Sequence, residues 1–286
     1  MKLPFFLAKR FVAGESFSKS LPAIQELTGK GLFVTLDLLG EYVTDRNVAN
    51  QARDSYIKLV KVVDESRNFQ QEANISIKLS MMGQKIDNYL CQDNLHQLLT
   101  VAKQHDVFVR LDMEGSDITE STLSLFKAAY REFPDHVGTV LQSYLKRTQE
   151  DVDEMCVLNA RIRICKGAYK EPAEIAYQDM PTIRTHYLTY AKQLIKDARY
   201  PGIATHDDQL IDAVKAFVQE ESIPKDQFEF QMLYGIRPDT QLDILNEGYN
   251  MRVYIPFGTQ WLPYFTRRLQ ERKENVWFVL KNLMRR

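Results

Sequence analysis

The sequence predicts an α/β fold, a single (β/α)8 barrel of the TIM type. Eight β-rich runs recur along 286 residues, each followed by a stretch with apolar residues at helical spacing, and no Gly-, Ser- or Pro-rich linker divides them. Parallel neighbours need a crossover connection, so this alternation argues for a parallel sheet covered by helices. Eight such units in about 250 residues close the sheet into a barrel.

The runs are LFVTLDLLG (32–40), NISIKLS (74–80), VFVRLDMEG (107–115), VGTVLQSYL (137–145), RIRICKGAY (161–169), GIATHD (202–207), FEFQML (228–233) and MRVYIPFG (251–258). Between them, Leu95, Leu98, Leu99 and Ala102 form one helical stripe, and Leu210, Ala213, Val214 and Phe217 another. The chain 1–286 reads as one barrel domain, with 1–10 a short lead-in and 275–286 a tail helix. The runner-up is an open doubly wound sheet. It usually carries a Gly-rich turn after its first strand when it binds dinucleotides, whereas Gly29 and Gly31 precede the first strand here.

Apolar residues make up 44% of the chain and charged residues 26%, the mix of a globular protein. A net charge of -1 gives no reason to expect nucleic acid as a partner. No uncharged apolar run reaches the roughly 18 residues of a spanning helix. The opening MKLPFFLAKRF breaks at Lys9 and Arg10 with no small-residue cleavage site after it, which argues against a signal peptide. Cys91, Cys156 and Cys165 are odd in number and far apart, so a reducing, cytoplasmic setting is expected.

A barrel places its chemistry at the carboxyl ends of its strands. There the runs carry Lys78, Asp112 and Glu114, Gln142, Arg163 and Lys166, Thr205-His206-Asp207, Gln231 and Tyr254, with Pro256 and Gly258 marking the last exit. Asp112 and Glu114, two apart in a strand, are expected on one face. Each residue alone has a plainer reading. Lys78 with Asp112 suits an internal ion pair, and His206 suits a structural histidine. The plain readings leave the shared location unexplained. Arg110, Arg161, Glu229 and Arg252 are assigned to internal ion networks or to barrel ends, with no chemistry.

After the last strand, WLPYFTRRLQER (261–272) reads as a helix with Pro263 in its first turn. Glu271 lies four residues after Arg267 and three after Arg268, so it is expected to fix a guanidinium that can grip a carboxylate bidentately. A solvated charged face is the competing reading. No GxSxG or Cys-His signature for a nucleophilic triad appears.

FVAGE (11–15), SIKLS (76–80), RLDMEG (110–115), LQSYL (141–145), KGAY (166–169), ATHD (204–207), FEFQML (228–233), YIPFGT (254–259) and YFTRRLQE (264–271) together resemble the proline dehydrogenases, of the monofunctional bacterial kind. The resemblance spans roughly residues 11 to 275 in order. It implies a distorted barrel whose final helix lies over the mouth, with FAD held non-covalently and no Rossmann fold. By resemblance, Lys78, Arg267 and Arg268 hold the substrate carboxylate and Tyr254 packs near the proline ring. Asp112 and Arg163 take the catalytic positions, with Arg163 beside flavin N5. Gln142 would contact the isoalloxazine ring, and Lys166, Gly167, Ala168, Thr205 and His206 would hold the FAD, with Met113 and Gln231 in the same pocket. The implied reaction is hydride transfer from C5 of L-proline, giving Δ1-pyrroline-5-carboxylate.

Two departures from the family pattern stand out. Ten residues precede FVAGE, fewer than is usual, and Lys170 follows KGAY where the bifunctional fusions often have Trp. The chain ends at Arg286, so a separate pyrroline-5-carboxylate dehydrogenase is expected downstream. Quinone is the expected electron acceptor. Lys281, Arg285 and Arg286 beside Trp277, Phe278, Val279 and Leu280 offer a peripheral contact with the inner membrane face, or a helix docked on the barrel. The alternatives are a dehydrogenase of a related cyclic amino acid such as hydroxyproline, a metal-dependent barrel hydrolase using Asp112, Glu114 and His206, and a non-catalytic ligand-binding barrel.

Overall fold

The computed structural model describes residues 4–65 and 74–271. Its strands are β1 (Phe33–Leu38), β2 (Asn74–Ile77), β3 (Phe108–Leu111), β4 (Val137–Gln142), β5 (Ile162–Cys165), β6 (Gly202–Ala204), β7 (Glu229–Leu233) and β8 (Asn250–Phe257). All eight pair in parallel in sequence order, and β8 returns to β1 to close the barrel. A helix, α1 (Phe17–Gly29), precedes β1. The outer ring follows as α2 (Arg46–Glu65), α3 (Asn88–Gln104), α4 (Thr119–Tyr130), α5 (Thr148–Val157), α6 (Met180–Asp197), α7 (Asp208–Glu220) and α8 (Pro238–Asn246), and α9 (Trp261–Glu271) follows β8. The fold predicted from the eight runs is the one observed.

Local chemistry sets the helix starts. Asp87 caps α3 by accepting from Tyr89 N at 2.9 Å, and Asp179 caps α6 by accepting from Thr182 N at 2.9 Å. Pro181 and Pro238 sit in first turns, where a missing N–H costs little. The predicted stripe of α3 is buried throughout, and on α7 Leu210, Val214 and Phe217 are buried while Ala213 is half-buried. Each buried Leu or Phe contributes about 1.5–3 kcal/mol against exposure.

Seven of the eight strands stop earlier than their runs, and four of these shifts move site residues off the strand. β2 ends at Ile77, β3 at Leu111, β5 at Cys165 and β6 at Ala204, so Lys78, Asp112, Glu114, Lys166, Thr205 and His206 lie on the loops just past the ladder. After β2 the chain tightens at once into a 3₁₀ turn, Leu79–Met82, which ends the alternation expected of 74–80. The amino end of the barrel holds the networks assigned to Arg110, Arg161, Glu229 and Arg252. Arg252 Nε meets Glu229 at 2.6 Å, Arg110 donates to the Thr139 carbonyl at 3.0 Å, and the Phe108 ring lies 4.2 Å from the Arg161 guanidinium. Along α9, Trp261, Tyr264 and Phe265 pack with Leu7, Phe11 and Leu39, which sets this helix against the rim after β1. The tail 275–286 lies outside the described residues.

Candidate active site

Arg163 is the hub of the rim. Its neighbours Ile162 and Ile164 are fully buried against the helices, so strand alternation turns Arg163 into the barrel, where it is 6% exposed. Its NH1 donates to Asp112 Oδ1 at 2.8 Å, its NH2 to Ser76 Oγ at 3.3 Å, and its Nε to Gln231 Oε1. In the neighbouring register position stands Gly202, and a Cβ there would lie 2.4 Å from the Gln231 amide nitrogen. A glycine on β6 is thus what admits the Gln231 side chain.

The second oxygen of Asp112 accepts from the Tyr254 hydroxyl at 2.7 Å, and the Arg163 guanidinium lies 5.4 Å from the Tyr254 ring. Burial, with Asp112 and Asp37 facing it, holds the Tyr254 phenol well above its ordinary pKa. It therefore stays protonated and donating. Lys78, also buried, places its Nζ 2.9 and 3.0 Å from the two oxygens of Asp37 and 3.9 Å from Asp112. Burial alone would push the Lys78 pKa down, but the Asp37 and Asp112 carboxylates more than offset it and leave it raised. Asp37 itself is pushed up by burial, against the pull of Lys78.

Asp37 is a residue the sequence reasoning missed, and Glu41 is another. Arg267 donates through NH1 to Glu41 Oε2 at 3.1 Å and through NH2 to Glu41 Oε1, a bidentate pair joining α9 to the loop after β1. Glu271, expected from helix spacing to fix Arg267 or Arg268, has its side chain outside the described residues; the carboxylate described on Arg267 is Glu41. Both missed acids belong to the first run and its exit, the one run from which no rim residue was taken. Arg268 is 8% exposed, with its guanidinium 5.1 Å from the Tyr264 ring.

Asp112 and Glu114 do not share a face, because β3 ends before them. Glu114 turns toward the loop after β2, accepting from Ser80 N at 3.2 Å and Ser80 Oγ at 2.6 Å, and burial raises its pKa. His206 accepts the Leu233 amide at Nε2, 3.0 Å away. Asp112, Glu114 and His206 are thus each engaged separately, and among the described residues no three His, Cys, Asp or Glu side chains gather as metal ligands.

The ends of β5 and β6 meet beside this network. Lys166 Nζ lies 2.9 Å from Asp207, which also accepts from Arg184 Nε at 2.7 Å, and Thr205 Oγ1 accepts from Asp207 N at 3.1 Å. Gly167 has φ 114°, and a Cβ there would fall 2.3 Å from the Tyr144 ring. Its lack of a side chain thus makes room for Tyr144. Ala168 follows on the same loop, Met113 is 7% exposed beside Asp112, and Gln142 is 3% exposed at the end of β4. Gln142 Nε2 donates to the Glu114 carbonyl at 3.3 Å, while among the described residues nothing donates to its buried Oε1.

The rim is therefore a buried, charge-paired wall with cations beside it and an amide acceptor left open. Three comparisons bear on what such a wall serves. The family model described as proline dehydrogenase matches residues 20–281. Proline dehydrogenase 1 of Bacillus subtilis subsp. natto is 41% identical over 279 residues, covering 98% of this chain and 91% of the relative. The proline dehydrogenase of Deinococcus radiodurans is 41% identical over 283 residues, covering 98% and 90%. Among solved structures, proline utilization A from Bdellovibrio bacteriovorus, inactivated by N-propargylglycine, superposes with a TM-score of 0.86 at 26% identity over 93% of this chain. The chain spans 32% of that larger protein. A family match along nearly the whole length, joined to a closed eight-strand barrel, shows that this chain belongs to the proline dehydrogenase family.

Proposed function

We propose that this chain is a flavoenzyme that oxidises L-proline to Δ1-pyrroline-5-carboxylate, with 1–286 acting as one barrel domain. The observation that carries this reading is the buried wall of Lys78, Asp112, Arg163 and Tyr254 at the carboxyl rim, together with the arginine pair on α9. FAD, when bound, supplies the acceptor for the hydride leaving C5. The donor set fits it: the unsatisfied Gln142 Oε1 asks for an N–H, and a guanidinium and a lysine suit a ring system edged with carbonyls and nitrogens. Gln142, Gln231, Met113 and Arg163 would meet the flavin ring, while Lys166, Gly167, Ala168, Thr205 and His206 would hold the remainder.

Lys78, Arg267 and Arg268 would bind the substrate carboxylate. Asp112 fixes both Tyr254 and Arg163, so the wall against which the ring lies and the cation beside it are set by one carboxylate. Tyr254 is committed as a donor and Lys78 is kept as an ammonium, so neither accepts the proton that the proline nitrogen must lose. That proton leaves to solvent before the C=N bond forms. Quinone is the proposed oxidant, reached by peripheral contact with the inner membrane face from the cytoplasm, and a separate dehydrogenase would take the product onward. Among the described residues no helix is long and apolar enough to cross a membrane.

The test is the visible spectrum of the purified protein before and after anaerobic L-proline. Flavin bands that bleach with proline are expected. Bands that persist with proline, or a colourless protein that FAD cannot reconstitute, would overturn the reading.

Hydroxyproline is the nearer alternative substrate, and Tyr254 bears on it. A phenol pinned at 2.7 Å to Asp112 leaves little room for a hydroxyl on the ring. Tyr254→Ser is expected to raise the ratio of hydroxyproline to proline kcat/KM by about tenfold. A ratio unchanged from the parent would reduce Tyr254 to a packing residue.

A further inference from the structure

Asp37 stands inside the barrel at the end of β1, with no exposed surface, between register partners Ser76 on β2 and Pro256 on β8. A side chain so enclosed does not reach a ligand at the rim. Its two oxygens lie 2.9 and 3.0 Å from Lys78 Nζ, a bifurcated contact shorter than the 3.9 Å from the same nitrogen to Asp112. Asp112 is already committed, one oxygen to Arg163 and the other to Tyr254. Asp37, which Tyr254 also faces, is therefore the nearer and stronger carboxylate partner of Lys78.

We propose that Asp37 is a positioning residue for substrate binding: it fixes the Lys78 ammonium on the barrel wall and thereby sets the affinity for the amino-acid carboxylate without touching it. The inference rests on the proposed reading that Lys78 meets that carboxylate.

A buried amine without an anion beside it loses its proton, because desolvation disfavours the charged form. The groups facing Lys78 are Asp37 from β1, Asp112 and Arg163 across the barrel, Tyr254 from β8 and Tyr56 from α2. Tyr56 and Tyr254 are both buried phenols held above their ordinary values, so they bring no charge at neutral pH. Arg163 is neutralised by Asp112. Removing the Asp37 charge leaves the ammonium with half of a shared, more distant carboxylate.

The experiment uses the FAD-loaded enzyme and cyclopentanecarboxylate, which keeps a five-membered ring and a carboxylate but has no amine to titrate. Its binding is read from the shift of the flavin bands between about pH 6 and about pH 9. In the parent, affinity should stay flat across this range. In Asp37→Asn it should fall about tenfold at neutral pH and continue to fall with rising pH as Lys78 loses its proton. Proline KM should rise in parallel while kcat changes by less than about threefold. Lys78→Met should weaken the anion similarly, and Asp37→Asn added to it should do no further harm, because Asp37 acts through Lys78.

Affinity in Asp37→Asn within about twofold of the parent at every pH, or a full Asp37 effect persisting in the Lys78→Met background, would overturn the proposal. So would a parent whose anion affinity already fades below about pH 8, a measurement that needs no variant to fold. Failure of the functional reading looks different. There the parent flavin is not bleached by proline at all, whatever the anion does.

Discussion

Arg163→Met is expected to slow proline-driven flavin reduction by about a thousandfold while leaving enough flavin bound to follow it. Three separate donations leave this guanidinium, to Asp112, to Ser76 and to Gln231, and each ends on a different strand or strand exit. The loss removes a preorganised cation from a dry wall, where such donors are worth roughly 10²–10³ each in rate. It also strips Asp112 of its counter-charge, so the carboxylate that orients Tyr254 is no longer held. Arg163→Lys should recover little, because one ammonium cannot reproduce a planar fork aimed in three directions. Anaerobic stopped-flow reduction of the holoenzyme measures this, and a Met variant within about tenfold of the parent would remove Arg163 from the chemistry.

That arginine illustrates what the sequence discloses. A charged residue alternating with isoleucines in RIRIC can only face the barrel interior, so Arg163 was legible from period two alone. So were Gln142, Gln231 and Tyr254, which lie within ordered strands. Past the last paired residue the rule expires. Asp112 and Glu114 were placed together by alternation, yet the chain had already left β3, and Glu114 went to Ser80 instead. Long-range pairing was hidden for a different reason. Asp37 and Lys78 are 41 positions apart, and Glu41 and Arg267 are 226 apart. Helical spacing describes only neighbours on one helix, such as Glu271 with Arg267 or Arg268, and is silent on Glu41. Asp37 is masked inside LFVTLDLLG, where seven of nine residues are apolar or glycine and strand character is the dominant signal. Closure of β8 onto β1 is what makes that first run a wall of the site.

At the opposite end of the barrel the largest stability effect is expected. Arg252 has no exposed surface and Glu229 is 1% exposed, and the pair meets at 2.6 Å with Arg252 NH1 also on the Val34 carbonyl at 2.7 Å. Deleting one partner of such a pair strands the other charge, which typically costs about 3–5 kcal/mol. Arg252→Met should therefore lower Tm by on the order of 10 °C at neutral pH. The pH dependence carries a sign that a simple packing defect lacks. In the parent, burial pushes the Glu229 pKa up, but Arg252, joined by the Gln231 amide and Arg161, more than offsets it, so the folded value lies below the ordinary one. That lowered value contributes stability above the ordinary glutamate range, and the contribution is lost as pH falls through the folded value. Without Arg252 the largest opposing charge is gone, and burial is expected to raise the folded value above the ordinary one despite Gln231 and Arg161. The folded variant then holds a proton the unfolded chain has released, so its stability falls as pH rises from the ordinary glutamate range toward neutrality. The deficit against the parent should thus be largest near neutral pH and shrink on acidification, as read by thermal melts at several pH values. Adding Glu229→Gln should recover much of the loss, since an uncharged pair of similar shape removes the stranded charge. A deficit that stays constant with pH would mean that the cost is packing around Phe33, whose ring lies 5.2 Å from the Arg252 guanidinium, and not the stranded carboxylate.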